Sequence, residues 1–202
     1  MDKKQKQLKK GERTRKMILM RAGTLFAQKG YHAVSIDEII DGLGIAKGTM
    51  YQYFDGKLGL LKDLLKFCRT EIDSVFESIS VEHNDCRSVI REAYFKLNRL
   101  YFNTFDMINL NMSSGNIITD ESHKQIAFYL MDHFVNLLSP FKEEFRIRQD
   151  EMPFVVFLQG EHIRGYLRYN FGQSGAEDKD IHESIDFALD ILQNGIFSNK
   201  KK

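Results

Sequence analysis

Apolar residues recur every three or four positions along most of the chain, which is the spacing of one face of an α-helix. This spacing predicts long helices over residues 57–80, 86–104, 151–171 and 179–197, shorter ones over 35–43, 46–54 and 105–112, and one from Thr119 or Asp120 to Ser139-Pro140, with a further turn or two through Phe145. No strand-like alternation is convincing, and the chain contains only two prolines. The pattern therefore predicts an all-α protein.

The stretch from Ser35 to Lys57 predicts a helix, a tight turn and a second helix. Ser35 precedes the apolar positions of the first helix and Glu38 follows three residues later, so the two residues can form a capping box. Gly44 stands where a helix end needs a left-handed residue that lets the chain reverse. These signals indicate a helix-turn-helix.

The second helix of this pair presents polar and aromatic side chains outward. Met50 and Phe54 are four residues apart and are expected to face inward. The residues left on the outer surface are Lys47, Gly48, Thr49, Tyr51, Gln52 and Tyr53. Such a surface suits a DNA groove, because its side chains can reach base edges and its hydroxyl groups can donate to phosphates. Lys57 follows at the start of the next helix, where peptide dipoles attract anions.

This span resembles the recognition-helix signature of the TetR (tetracycline-repressor-like) family of one-component transcriptional regulators. The resemblance covers about residues 13 to 65 and is carried by Ile45-Ala46-Lys47-Gly48-Thr49-Met50-Tyr51-Gln52-Tyr53-Phe54, Lys57, Leu60-Leu61 and, at the end of a helix from near Thr14, Ala27-Gln28-Lys29-Gly30-Tyr31. It implies phosphate contacts for Thr49, Tyr53 and Lys57. It places Lys47, Gly48, Tyr51 and Gln52 at the groove face, and we add Ser35 to this predicted DNA-binding set.

Two departures from the family pattern affect the helix pair. Ala46 stands where family members usually have a serine that caps the recognition helix, so this helix is expected to fray more readily without DNA. Ile40 and Leu43 replace positions that are often alanine, which is expected to change how the two helices pack.

The formal net charge of +1 conceals an asymmetry along the chain. Through Lys57 there are 12 basic and 6 acidic residues, a net charge of +6, and the remainder carries −5. Much of the excess lies in a leader expected to be disordered at its start: Lys3, Lys4, Lys6, Lys9, Lys10, Arg13, Arg15 and Lys16. The leader can follow the phosphate backbone or enter a minor groove, and the alternative is a solvated tail.

Residues 57–202 are predicted to form a larger helical ligand-binding and dimerisation domain, after a leader and helix-turn-helix domain over residues 1–56. Aromatic and methionine side chains around a few polar groups suit a pocket for a mostly apolar small molecule. The candidate ligand-binding residues are Phe67, Tyr94, Asn98, Tyr101, Phe102, Phe105, Met107, Tyr129, His133 and Gln159. The same stripe also fits a phenylalanine-rich core.

The resemblance further implies that the last two helices form the four-helix interface of a homodimer, with Gly160 and Gly165 permitting close helix approach. Periodicity alone does not separate this interface from an ordinary core. The helix that begins at Lys57 has its body in the second domain, so displacing it would move the recognition helix.

No catalytic constellation is present. The six histidines form no HExxH motif, and the chain has neither a glycine-rich phosphate loop nor a nucleophile elbow, so we predict neither an enzyme nor a cofactor. Glu161-His162 near His133 is a candidate metal or proton site, but helix-face histidines of this kind are usually exposed or hydrogen-bonded in a core, and no metal site is predicted.

Targeting signals are also missing from the sequence. The apolar run from Met17 to Met20 is too short for a signal peptide, and no segment is long enough to span a membrane, so a cytoplasmic location is expected. Cys68 and Cys86 are then expected to be reduced, either as buried structural residues or as a thiol switch.

The sequence therefore predicts a bacterial, homodimeric repressor that an apolar or amphipathic small molecule releases from a double-stranded DNA operator. The alternative is an all-α protein interaction module with a vestigial helix-turn-helix. The sequence does not specify the operator, the regulated genes, the effector, or whether the effector releases or promotes DNA binding.

Overall fold

The computed structural model describes residues 3–82, 85–103, 126–144, 151–171 and 177–195, and every regular element within these ranges is helical. The helices are α1 (Lys3–Lys29), α2 (Ile36–Ile40), α3 (Lys47–Tyr53), α4 (Gly56–Glu77), α5 (Cys86–Asn103), α6 (Ile126–Leu138), a 3₁₀ helix (Ser139–Glu144), α7 (Met152–Phe171) and α8 (Asp178–Gly195). The predicted all-α class is confirmed. The predicted short helix over 105–112 lies outside the described residues.

The chain divides into two compact units. The first contains the described residues up to Arg69, and the second contains residues 70–103 and the described residues from Ala127 onward. Helix α4 is continuous across this division, with residues 56–69 in the first unit and 70–77 in the second. None of the described helices is long and apolar enough to cross a membrane.

The first unit is built around apolar residues at helical spacing on α1 and α4. Its fully buried side chains include Ile18, Ala22, Phe26, Ile39, Met50, Leu60, Leu61 and Leu64. Burying each of the larger ones contributes about 1.5 to 3 kcal/mol relative to exposure. The short helices α2 and α3, of 5 and 7 residues, are therefore held by this core rather than by their own hydrogen bonds.

Helix α1 begins eleven residues earlier than the sequence pattern suggested. The expected start near Thr14 is wrong, since the helix begins at Lys3, and the expected disorder of the leader is wrong from that residue on. Residues 3–13 contain one glycine, Gly11, and no proline, and all the others are lysine, glutamine, leucine, glutamate or arginine, which are good helix formers. Charged side chains are solvated equally well on an exposed helix and in a disordered tail, so the charge of this stretch does not oppose a helix.

The second unit joins α5 to α8 through an antiparallel ladder with four-residue steps on both helices. Its rungs are Arg87–Asp190, Arg91–Asp186 and Arg99–Asp178, each 2.6 Å between closest atoms, and the stacked rings of Phe95 and His182, 4.1 Å between centroids. Residues four apart lie on one helical face, so every rung meets its partner in register. Beneath the ladder, α5 and α8 bury Ile90, Ala93, Ile181 and Ile185.

The two cysteines are buried and not bonded to each other. Burial, with the carboxylates of Glu144 and Asp85, raises the pKa of the Cys86 thiol to about 12. Because the thiolate is the reactive form, this environment opposes a redox switch at Cys86.

Candidate nucleic-acid interface

Helix α2 is capped as the sequence predicts. The Ser35 Oγ accepts a hydrogen bond from the backbone N–H of Glu38 at 3.1 Å. The Glu38 carboxylate in turn accepts from Lys29 at 2.5 Å and from the backbone of Ser35, and these bonds lower its pKa. Helix α2 is thereby fixed at its start both to its own backbone and to the end of α1.

The turn between α2 and α3 depends on glycine. Gly42 and Gly44 have φ values of 76° and 64°, in the left-handed region that other residues rarely adopt. The left-handed conformation predicted for Gly44 is confirmed, but its position at the helix end is not, because α2 ends with Asp41 as its C-cap and Gly42 is the next residue. At the start of α3, Ala46 occupies the N-cap position with an extended backbone and makes no side-chain capping bond, so the missing cap is also confirmed.

Helix α3 separates its two faces as expected. Met50 is fully buried and Phe54, which follows the helix, is 4% exposed. Tyr51 is 52% exposed. The other predicted groove-face residues, Lys47, Gly48 and Gln52, are exposed, and the predicted phosphate-contacting residues Thr49 and Tyr53 are half-buried. The inner face is fixed in the core while the outer face is open to a partner.

Tyr53 and Phe54 are supported by the first half of α1. A Cβ placed on Gly11 would lie 3.4 Å from the Tyr53 hydroxyl, so the two residues are close neighbours. The Arg15 guanidinium lies 5.2 Å from the centre of the Phe54 ring and pairs with Asp63 of α4 at 2.7 Å. The end of α3 is thus held between α1 and α4.

Lys47, at the first position of α3, is paired with a residue of α2. Its Nζ lies 2.8 Å from Oδ1 and 2.9 Å from Oδ2 of Asp37. The hydrogen bond to Asp37 raises the pKa of Lys47. The predicted base-contacting ammonium therefore already has an anionic partner in the free protein.

Lys57 is held by the segment between α1 and α2. Its Nζ donates to the carbonyl oxygens of Val34 at 2.7 Å and His32 at 3.5 Å, and it lies 4.3 Å from the centre of the Tyr31 ring. Burial lowers the pKa of Lys57. An ammonium has three donors, so a phosphate contact would use what these carbonyls leave.

Sequence reasoning did not find Asp37, Tyr31 or the Val34 carbonyl as partners of these lysines. Asp37 is ten residues from Lys47, and Val34 is 23 residues from Lys57. Spacing along one helix does not reveal such pairs. The only signal was the oppositely charged pair of Asp37 and Lys47 on consecutive helices.

Four predicted ligand-binding residues occupy two places in the second unit. Tyr94 is buried and donates from its hydroxyl to the Val156 carbonyl at 2.5 Å, and Asn98 donates to the Tyr94 carbonyl at 2.8 Å. Tyr129 donates to Oδ1 of Asp73 at 2.5 Å, and His133 Nε2 lies 2.9 Å from the same oxygen.

The other predicted ligand-binding residues are scattered. Phe67 is half-buried in the first unit, Gln159 donates to the Ala188 carbonyl at 3.2 Å, and the Arg164 guanidinium lies 5.4 Å from the centre of the Tyr101 ring. The side chain of Phe102, together with Phe105 and Met107, lies outside the described residues.

The candidate metal or proton site is not assembled among the described residues, where no three histidine, cysteine, aspartate or glutamate side chains form a group that could hold a metal ion. Glu161 pairs with Arg164, His162 is exposed, and His133 contacts Asp73.

The DNA-binding segment also matches known proteins. The family model described as "Bacterial regulatory proteins, tetR family" matches residues 18–64. The uncharacterized HTH-type transcriptional regulator YuxN of Bacillus subtilis is 31% identical over 115 residues, which cover 55% of this chain and 38% of YuxN. The HTH-type transcriptional repressor KstR2 of Rhodococcus jostii is 27% identical over 135 residues, covering 67% of this chain and 62% of KstR2. The chain thus spans less than two thirds of either relative.

The fold is shared with solved structures. The fatty acid degradation regulator FadR from Bacillus halodurans is similar with a TM-score of 0.69 at 15% identity, covering 90% of this chain and 95% of that chain. The family match over residues 18–64 falls on the helices that fix α3 by its inner face and expose its outer face. Taken together, these findings place residues 18–64 in the TetR family of bacterial regulatory proteins and show that the chain shares the fold of solved regulators such as FadR.

Proposed function

We propose that the protein is a homodimeric repressor that an apolar or amphipathic small molecule releases from its operator. The observation that carries the proposal is the exposed outer face of α3, with Lys47, Tyr51 and Gln52 open to a groove while Met50 anchors the helix. A recognition helix needs this combination, because base readout requires a rigid backbone and exposed side chains. The predicted DNA-binding set also includes Ser35, Gly48, Thr49, Tyr53 and Lys57.

In this proposal residues 1–56 read DNA, and residues 57–202 bind the effector and form the dimer. The cytoplasm is the compartment that this function requires. One helix-turn-helix reads only a few base pairs, so specific binding calls for two copies facing half-sites about 34 to 36 Å apart.

Exposed apolar side chains on the last two helices support the dimer. Phe154, Leu158 and Tyr166 lie at steps of four or eight residues on α7, and Phe187 and Ile191 are four apart on α8; all are about half exposed or more. Exposed apolar faces of this kind are typical of protein interfaces. Gly165 is exposed with open space beside it, whereas Gly160 accommodates the Tyr94 ring, 3.1 Å from where a Cβ would lie.

The effector proposal is supported by a buried polar atom and a run of contacting rings. Asn98 is 2% exposed, and its Oδ1 has no hydrogen-bond partner among the described residues. A buried acceptor without a partner costs about 1 to 3 kcal/mol, which a ligand donor would offset. Tyr94, Phe134, Phe76, His133 and Tyr129 follow one another with ring centroids 4.6 to 5.9 Å apart.

Helix α4 offers a path from effector to DNA. Its second part supplies Asp73 and Phe76 to the polar and aromatic cluster with His133, and Lys57 is at its start. A ligand that binds the two conformations with different affinity would shift the population, and a coupling of about 1 to 3 kcal/mol would change operator affinity roughly 5- to 150-fold.

The test screens apolar and amphipathic metabolites for compounds that raise the melting temperature and change binding to duplex fragments from the protein's own genomic neighbourhood. The proposal expects at least one compound that does both, and weaker coupling in Asn98→Ala than in the wild type. Compounds that stabilise the protein without changing duplex binding would contradict the ligand response. No binding to any fragment would favour the interaction-module alternative.

A further inference from the structure

The ion pair between Asp37 and Lys47 is placed on the surface of the helix-turn-helix, not in its core. The ammonium nitrogen lies 2.8 Å and 2.9 Å from the two carboxylate oxygens. The Lys47 side chain is 52% exposed and that of Asp37 is 70% exposed. Exposed ion pairs of this kind contribute little to stability, so the pair calls for another explanation.

The position of the pair points to DNA recognition. Lys47 begins α3, and the N-terminal residues of a recognition helix contact base edges. Asp37 lies on α2, the helix that crosses the phosphate backbone in a helix-turn-helix. A carboxylate there repels phosphate, which weakens binding to every sequence alike.

The neighbouring carboxylates provide a comparison. Glu38 has its own cation, Lys29, on α1. Asp41 is exposed and has no ion-pair partner among the described residues, although it borders the same surface cleft as Asp37. Of these three carboxylates, Asp37 is the one that holds a cation of α3.

We infer that Asp37 is a specificity-determining residue that acts by holding the Lys47 ammonium. The inference rests on the proposed function. While Asp37 holds it, the charge of the Lys47 ammonium is offset by the carboxylate, so Lys47 attracts a phosphate within reach less strongly. A well-placed base acceptor, such as O6 or N7 of guanine in the major groove, is needed to replace Asp37 as the hydrogen-bond partner of the Lys47 ammonium or to bind it together with Asp37. Asp37 thus lowers binding to unrelated DNA more than binding to the operator.

The experiment compares wild type, Asp37→Asn, Asp41→Asn, Lys47→Gln and the double variant Asp37→Asn/Lys47→Gln in the whole chain. Fluorescence anisotropy measures affinity for a duplex selected from a random pool and for a scrambled duplex of the same composition. Asp41→Asn is the matched control, because it removes the same charge from the same cleft without touching Lys47. Circular dichroism confirms folding, and Asp37→Ser replaces Asp37→Asn if the latter does not fold.

Asp37→Asn is expected to tighten binding to the scrambled duplex and to lower the ratio of selected to scrambled affinity. One added phosphate contact makes the loss of affinity between about 50 and 200 mM salt greater by roughly 3.5-fold, so one added contact in each subunit of a dimer makes it greater by roughly 12-fold. Asp41→Asn should leave the affinity ratio and this salt dependence closer to wild type. In the Lys47→Gln background, Asp37→Asn should no longer change the ratio.

Equal effects of Asp37→Asn and Asp41→Asn would overturn the inference, because charge alone would then explain them. An undiminished effect of Asp37→Asn in the Lys47→Gln background would overturn it as well. In both cases the wild type still binds its selected duplex and the proposed function stands. A wild type that binds no duplex sequence in preference to another would overturn both.

Discussion

At the scale of single residues, the two lysines of the candidate interface are held in opposite ways. The carboxylate of Asp37 raises the pKa of Lys47, whereas burial against neutral carbonyls and the Tyr31 ring lowers that of Lys57. Lys47 sits in an exposed pair that a DNA acceptor can replace. Lys57 connects α4 to the segment before α2, so its loss affects the fold as well as the charge.

We predict that Lys57→Ala has two separable effects. Losing the ring contact and leaving the Val34 carbonyl without its donor should lower the free energy of unfolding by about 1 to 3 kcal/mol. Losing a phosphate contact should weaken binding to all duplexes and reduce the salt slope by about 1 per subunit. Urea unfolding measures the first effect, and a salt titration measures the second.

Lys62→Ala is the control, since Lys62 is an exposed lysine of the same helix. An unchanged salt slope in Lys57→Ala would remove Lys57 from the phosphate contacts. Unchanged stability would show that its carbonyl and ring contacts contribute nothing to the fold.

At the scale of elements, α3 is a short helix whose first turn lacks a side-chain cap. Ala46 has the extended backbone of an N-cap residue, with φ −75° and ψ 151°, and its carbonyl oxygen accepts from the Thr49 N–H at 2.9 Å, but it has no side-chain acceptor for the first turn. The segment from Ala46 onward is therefore held mainly by Met50 and Phe54.

Ala46→Ser should stabilise the protein by about 1 kcal/mol, because the hydroxyl oxygen can accept from a first-turn N–H in the backbone conformation already present. This corresponds to a rise in melting temperature of about 2 to 4 °C for a chain of this size. Thermal unfolding followed by circular dichroism measures it. Ala46→Val, which offers no acceptor, is the control; equal melting temperatures for the serine and valine variants would contradict the capping argument.

The elements differ in how well the sequence predicted them, for physical reasons. The start of α2 was predicted closely because the Ser35 cap is a local signal, and α3 was predicted to within one residue at each end. The end of α2 was predicted three residues too late, since the helix stops at Ile40. The start of α1 was wrong because a charged run of good helix formers fits both a helix and a tail. Contacts such as Lys57 with Val34 join distant parts of the chain, and no local pattern encodes them.

Periodicity also did not separate buried from exposed apolar residues on α7. Phe154, Leu158 and Tyr166 belong to the apolar pattern that predicted this helix, yet they are exposed, while Ile163 and Leu167 are buried. Apolar spacing identifies the apolar face of a helix, but it does not show what packs against each residue of that face. The Arg–Asp ladder of α5 and α8 was missed for a related reason, because each helix alone shows only exposed charges.

At the scale of the whole molecule, the proposed dimer depends on the exposed faces of α7 and α8. Phe187→Glu should convert the dimer to a monomer, because a carboxylate buried in an apolar interface lacks a compensating partner. Phe187 is 69% exposed, so the protomer should remain folded. Sedimentation velocity measures the assembly state, and affinity for a two-half-site duplex should fall with it.

Phe128→Glu is the matched control for the dimer. Phe128 is 55% exposed but lies on α6, outside the last two helices. A Phe187→Glu protein that sediments as the wild type does, or a Phe128→Glu protein that dissociates instead, would place the interface elsewhere.

The central claim is that the outer face of α3 reads DNA sequence, and the most direct test is the titration of wild type, Tyr51→Ala and Gln52→Ala with duplexes selected from a random pool. We predict that selection by the wild type enriches a palindrome with half-sites about one helical turn apart, and that each variant changes the ranking of operator variants by about 1 to 3 kcal/mol at particular base pairs. Selection that enriches no sequence, or variants that change affinity equally for every operator variant, would contradict the claim.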